Sequence, residues 1–350
     1  MKIFFSLFYT LLLFTSLYAE VLTPEKQKIS HILKADEPMN FQMTFASPRE
    51  NCNLNIKIFD DFNKLLFSAN HNMLKSQEVF NLPVKTGKYY MEITAGNSNC
   101  YNKIFDLKID RFVGNFEEEP NNKISEATIL EDLKYYTGFL QSFDDNDYFK
   151  IILPSKGTLS LSLKHKNYGQ KGYNNIKLFD YKGNEVYYWR DNLDTKSLEK
   201  RIGLDKGTYF INVIYASSNS MHSDYSLAYS FSPNNNIEME INQTPKNATP
   251  IADSVYITGY LKNSFDENDY YVYDGKSGNY NFIFEHEIFD KDIDITIYNS
   301  NLKTIKNFTS KGISEKESFN IQLEDGRSYI RIKSYHLKND EEYRFGLVRN

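Results

Sequence analysis

The chain has 350 residues, a formal charge of −5, 41% apolar and 25% charged side chains, and a mean hydropathy of −0.56. That length allows two or three domains. The composition excludes an integral membrane protein and a disordered chain, and the charge excludes a general nucleic-acid binder. Aromatic residues reach 15%, almost all of them Tyr (27) and Phe (26), and such rings favour strands because they pack well on a pleated surface.

Residues 1–19 (MKIFFSLFYTLLLFTSLYA) open with Lys2, run apolar from Ile3 to Leu13 and end on the small residue Ala19. This is the pattern of a secretory signal peptide cleaved after Ala19, and the run is too short for a membrane anchor. No later segment is apolar and long enough to span, so an exported protein is expected, periplasmic or secreted. The two cysteines, Cys52 and Cys100, read as one disulfide in an oxidising compartment, two buried thiols being the alternative.

Two landmarks then recur three times at intervals of about 120 residues. The first is Leu54–Asp60 (LNIKIFD), Ile176–Asp180 (IKLFD) and Ile293–Asn299 (IDITIYN), each an alternating strand that runs into a polar turn. The second is Leu82–Ile93 (LPVKTGKYYMEI), Leu204–Val213 (LDKGTYFINV) and Leu323–Ile332 (LEDGRSYIRI), in which a glycine gives the backbone a turn with positive φ before the next strand. A third landmark occurs twice. EEEPNN (117–122), TGFL (137–140) and DDNDYF (144–149) are matched by EMEINQ (238–243), TGYL (258–261) and DENDYY (266–271). The expected organisation is all-β: a signal peptide at 1–19, a divergent sandwich at 20–111, and two sandwiches at 112–232 and 233–350.

Taken together, these motifs resemble the bacterial pre-peptidase C-terminal domain family, which includes the collagen-binding domains of clostridial collagenases. Residues 117–230 match its pattern throughout. Residues 238–348 match with Ile241 for Pro and Tyr271 for Phe, and residues 20–111 match only the two recurrent landmarks. The resemblance implies tandem jelly-roll-like β-sandwiches that serve as accessory modules for binding or export and perform no catalysis.

An extended segment places Glu117, Glu119 and Asn121 on one side, and Asp144 and Asp147 lie one turn apart. Where turn and linker meet, these oxygens suit calcium, which takes six to eight. In the similar family the matching residues bind calcium. Carried over, the ligands are Glu117, Glu119, Asn121, Asn122, Asp144 and Asp147 in the second unit, and Glu238, Glu240, Asn242, Asp266 and Asp269 in the third, with Gln243 at a doubtful further position. The same acidic segments also serve as solvated linkers and Asx turns without metal. Asn242 additionally lies in a bacterial glycosylation sequon (Glu240 to Thr244), which competes with ligation. Asp290, Asp292 and Asp294 imitate an EF-hand start, but Ile295 and Asn301 occupy the positions of its Gly and Glu, so they read as strand lead-in.

None of the six histidines forms a zinc motif, and the chain has neither a nucleophile elbow nor a phosphate loop. No enzyme is expected. The expected role is a binding module for an extracellular or envelope polymer, protein or glycan, with Tyr168, Tyr173, Tyr187, Tyr188 and Trp189 as candidate contact rings, core filling being the alternative for several of them. A periplasmic assembly partner and an unrecognised hydrolase are the alternatives.

Overall fold

A computed structural model describes residues 11–47, 51–73, 77–140, 145–165, 173–192, 197–215, 223–261, 268–286, 293–310, 316–334 and 341–350. The first sandwich contains β1 (Leu11–Val21), β2 (Lys28–Ala35), β3 (Met39–Ala46), β4 (Asn53–Asp60), β5 (Leu65–Asn72), β6 (Gln77–Val84), β7 (Gly87–Ala95) and β8 (Ile104–Val113). The second has β9 (Thr128–Ile129), β10 (Tyr136–Leu140), β11 (Asn146–Leu153), β12 (Gly157–His165), β13 (Tyr173–Asp180), β14 (Glu185–Asn192), β15 (Ser197–Leu204), β16 (Gly207–Tyr215) and β17 (Ser223–Pro233). The third has β18 (Thr249–Ile251), β19 (Tyr256–Leu261), β20 (Asn268–Gly275), β21 (Gly278–His286), β22 (Ile293–Asn299), β23 (Thr304–Ser310), β24 (Glu317–Leu323), β25 (Gly326–Ser334) and β26 (Glu341–Arg349).

Among the described residues, six sheets pair into three sandwiches. One sheet of each runs β1-β8-β3-β6, β10-β17-β12-β15 or β19-β26-β21-β24. Its partner runs β2-β7-β4-β5, β14-β13-β16-β11-β9 or β18-β20-β25-β22-β23. Most successive strands cross from one sheet to the other, the hairpins β4–β5, β13–β14 and β22–β23 staying within one sheet, and this jelly-roll-like connectivity recurs in all three units. Period-2 alternation aims one face of each strand inward. Phe41, Met43 and Phe45 of β3, Leu159, Leu161 and Leu163 of β12, and Tyr280, Phe282 and Phe284 of β21 fill three separate cores.

Sequence landmarks acquire physical causes here. Asp60, Asp180 and Asn299 end matching strands, and each side-chain oxygen accepts two backbone N–H bonds from the turn that follows, at 2.8–3.1 Å. Of the three glycines expected to turn with positive φ, only Gly326 does so, at +100°. At Gly87 and Gly207 the reason is a close approach. The ring of the Tyr two residues on folds back over the glycine, and a Cβ would meet it at 3.3–3.4 Å. The hydroxyls of Tyr89 and Tyr209 then donate to the carbonyls of Lys85 and Asp205. Cys52 and Cys100 form the disulfide, which closes a separation of 48 residues across the first sandwich.

The first strand overlaps the expected export signal. Leu11–Val21 pairs antiparallel along the whole of β8. Thr15, Leu17 and Ala19 are exposed, while Ser16, Tyr18 and Glu20 are partly covered. No described β1 residue belongs to the buried core, whereas β10 and β19 bury Tyr136, Leu140, Ile257 and Leu261 at the same position in their units. Among the described residues, no helix is long and apolar enough to cross a membrane.

Candidate metal centres at the linkers

Each linker hydrogen-bonds to the sandwich on either side of it. Glu119 N–H donates to the Pro83 carbonyl of the first sandwich, while Glu117 N–H donates to Thr137 and Tyr148 N–H donates to the Asn121 carbonyl in the second. At the next seam Glu240 N–H donates to Gly203, Glu238 N–H to Thr258, and Tyr270 N–H to the Asn242 carbonyl. The peptides Glu119–Pro120 and Glu240–Ile241 are both cis.

This path brings Glu117, Glu119 and Asp147 together, with one oxygen from each within 4.8 Å of the others. Two oxygens on opposite sides of a calcium ion lie about 4.6–5.2 Å apart, so the set fits one such ion. Glu117 Oε1 accepts the Phe139 N–H at 2.7 Å and Glu117 Oε2 the Asn121 Nδ2–H at 3.2 Å. Glu119 Oε2 accepts the Asn121 N–H at 3.1 Å. Asn121 Oδ1 and Asp147 Oδ1 are buried and have no hydrogen-bond partner, an expensive arrangement unless a cation or water completes it.

Charge repulsion at this point is severe. Burial, then the neighbouring Glu119 and Asp145, hold Glu117 well above the usual carboxylate range. Burial and Glu117 do the same to Asp147, and burial with Asp145 pushes Glu119 up to about 8. A divalent cation among them would offset both the burial cost and the mutual repulsion of these carboxylates.

Asp144 and Asp266 lie outside the described residues. Asn122 is exposed and its Oδ1 accepts the Asn146 N–H at 2.9 Å, which ties the linker to the start of β11. Two kinds of participant went unread in the sequence. Asp145 is 7% exposed and adds negative charge to the cluster; its position inside DDND was the available signal. Tyr225 donates its hydroxyl to Asp147, as Tyr343 does to Asp269 at 2.6 Å. The glycine of the TG-x-L landmark explains their reach, because a Cβ on Gly138 or Gly259 would stand 2.2–2.3 Å from the ring of Tyr225 or Tyr343.

The linker before the third sandwich carries an added hydroxyl, from Tyr271. Glu238, Asn242 and Asp269 are wholly buried. Asn242 Nδ2 lies 3.4 Å from Glu238 Oε2, and Asn242 Oδ1 is unpartnered. Tyr271, however, donates to Glu238 Oε2 at 3.0 Å and also bonds Tyr343. Two phenols thus stand between Glu238 and Asp269. Glu240 Oε2 is held by Gln243 Nε2 at 3.2 Å. Burial of Asn242 leaves no room for a glycan on the folded chain.

The candidate contact rings divide. Tyr187 and Trp189 face inward and belong to the second core, because β14 directs alternate residues there. They are corrected from surface to core. Tyr173 and Tyr188 are partly exposed, and Tyr168 lies outside the described residues. Asp294 is a β22 residue that accepts a hydrogen bond from Thr309, and Asp290 and Asp292 lie outside the described residues.

Fold and site together define a tandem β-sandwich protein with carboxylate-lined linkers. No family model and no curated protein matches the chain. Among solved structures, it is similar to the pre-peptidase C-terminal domain of a collagenase from Bacillus anthracis, at 20% identity over 31% of this chain and 100% of that one, with a TM-score of 0.27. It is also similar to the tandem CBM51 modules of a family 98 glycoside hydrolase from Streptococcus pneumoniae, at 10% identity over 62% and 83% of the two chains, TM-score 0.21. A third is PNGase F, a glycosylasparaginase from Flavobacterium meningosepticum, at 7% identity over 63% and 97%, TM-score 0.26. None of these similarities bears on what this chain binds.

Proposed function

We propose that the chain is an exported, non-catalytic binding or accessory protein that recognises an extracellular or envelope polymer, protein or glycan, and that calcium at its linkers fixes one sandwich against the next. The observation that carries the calcium reading is the convergence of Glu117, Glu119 and Asp147 within 4.8 Å beside the unpartnered oxygens of Asn121 and Asp147. Glu117, Glu119, Asn121 and Asp147 would hold the ion, which would supply charge compensation and a rigid joint. The hydrogen bonds from Glu119 to Pro83 and from Phe139 to Glu117 make that joint common to both sandwiches. The tandem arrangement suits polymer recognition, since linked weak sites gain through effective concentration when their spacing is fixed.

Calorimetric titration of the metal-stripped chain with calcium tests the reading. Heat of binding is expected, reduced by one site in Asp147→Ala. Absence of calcium heat in the wild-type chain, or an unchanged stoichiometry in the variant, would refute it.

A further inference from the structure

The two seams between sandwiches are built alike and closed differently. Pro83 and Gly203 occupy equivalent places, since each accepts the linker's N–H, from Glu119 and Glu240 respectively. Sheet register then equates Asn40 with Thr158 and Asn81 with Arg201. Register at the facing strands equates Phe139 with Tyr260 and Asp224 with Glu342.

At the second seam, Tyr260 hydrogen-bonds Thr158 across the joint, and Arg201 pairs with Glu342 at 3.1 Å. At the first seam the matching side chains differ. Phe139 has no hydroxyl to offer, and Asn40 Oδ1 is left without a partner although Asn40 is only 3% exposed. Asn81 replaces the arginine and instead accepts from Asn40 Nδ2 at 2.9 Å and Gln42 Nε2 at 3.3 Å. A cavity of about 470 Å³ opens at this place, lined by Asn40, Gln42, Phe112, Phe116, Phe139 and Ser226 among others. Ser226 Oγ, on a residue 5% exposed, is a second buried polar atom there without a partner. The rings of Phe116 and Phe139 stack at 6.2 Å and 20°, which gives the cavity an apolar wall.

We propose that this cavity is a binding subsite for a neutral pyranose unit of a saccharide. The size suits one to two sugar rings, and such pockets pair an apolar wall with a few placed polar groups. A pyranose presents C–H groups to the phenyl rings. Its hydroxyls donate to Asn40 Oδ1, replacing the phenol that Tyr260 supplies at the other seam, and exchange hydrogen bonds with Ser226 Oγ. This deepens the polymer-binding reading and rests on it, with a glycan as the polymer. The wall is shared with the linker cluster, because Phe116 adjoins Glu117 and the Phe139 N–H is bound by that carboxylate. Calcium is therefore expected to strengthen saccharide binding.

The test is ligand-observed NMR and calorimetry on the full chain with maltose, cellobiose and N,N′-diacetylchitobiose, plus octanoate as a purely apolar probe. Phe139→Tyr, and separately Asn81→Arg with Asp224→Glu, install the second seam's own bridges and are expected to keep the thermal midpoint. At least one disaccharide should bind, and both variants should weaken it by about tenfold or more, the scale of a lost hydrogen-bonding site. No disaccharide binding, octanoate binding alone, or binding unchanged in both variants would overturn the proposal. If the full chain and both variants retain a polysaccharide equally, polymer binding stands and this subsite is refuted.

Discussion

Tyr271 stands where the second sandwich has Phe149, and its hydroxyl occupies Glu238 Oε2, an oxygen a cation would otherwise take. Tyr271→Phe is expected to raise the calcium affinity of the third unit's linker by about tenfold, one hydrogen bond's worth, in a titration that resolves the two sites. Weaker or unchanged binding would show that the phenol is no competitor. The departure from Phe was visible in the sequence, but its meaning was not, because only the fold shows the ring ending against Glu238 and Tyr343. Glu117, Glu119, Asn121 and Asp147 were legible for the opposite reason: alternation along an extended segment and a repeated spacing suffice to put them on one side. Tyr225 was illegible, since it lies 78 residues from the aspartate it serves.

At the scale of strands, the glycine of each TG-x-L segment lets a tyrosine from the neighbouring strand lie flat on the backbone. Gly138→Ala would set a methyl carbon 2.2 Å from the ring of Tyr225. It should cost about 1–3 kcal/mol, as overpacking does, and calcium affinity should fall with it when Tyr225 leaves Asp147. Chemical denaturation and calorimetry on the same sample check both. The disulfide acts on β4 and the turn preceding β8, and its loss in a Cys52→Ser, Cys100→Ser chain should cost roughly 3–4 kcal/mol in the chain-entropy picture. Only the first sandwich should unfold earlier. The strands themselves were readable from alternation in LNIKIFD, IKLFD and IDITIYN. The inward turn of Tyr187 and Trp189 was not, because YYW offers a ring on both faces and only pairing with β13 decides which faces inward.

For the whole molecule, the linkers decide whether three sandwiches behave as one object. Chelation of calcium is expected to widen the distribution of interdomain distances in small-angle scattering, with β content unchanged by circular dichroism; an identical scattering curve with and without chelator would contradict a stiffening role. Three units were legible from the 120-residue recurrence, and the cavity at the first seam was not, because its lining, from Asn40 to Phe139 and Ser226, is drawn from two sandwiches and far-apart stretches of the chain. Strand β1 forms the edge of its sheet in the first sandwich. It contributes none of the described buried core, so cleavage after Ala19 would strip away all but Glu20 and Val21 and leave the first sandwich intact with a bare rim from Asp106 to Val113, most of β8. Such a rim is adhesive toward any extended chain. The leader would then double as a temporary stopper, and processing would uncork the molecule. Hydrogen exchange should find the outward amides of β8 slow in the precursor and fast in the processed chain, and slow exchange in both would mean that another strand has taken the stopper's place.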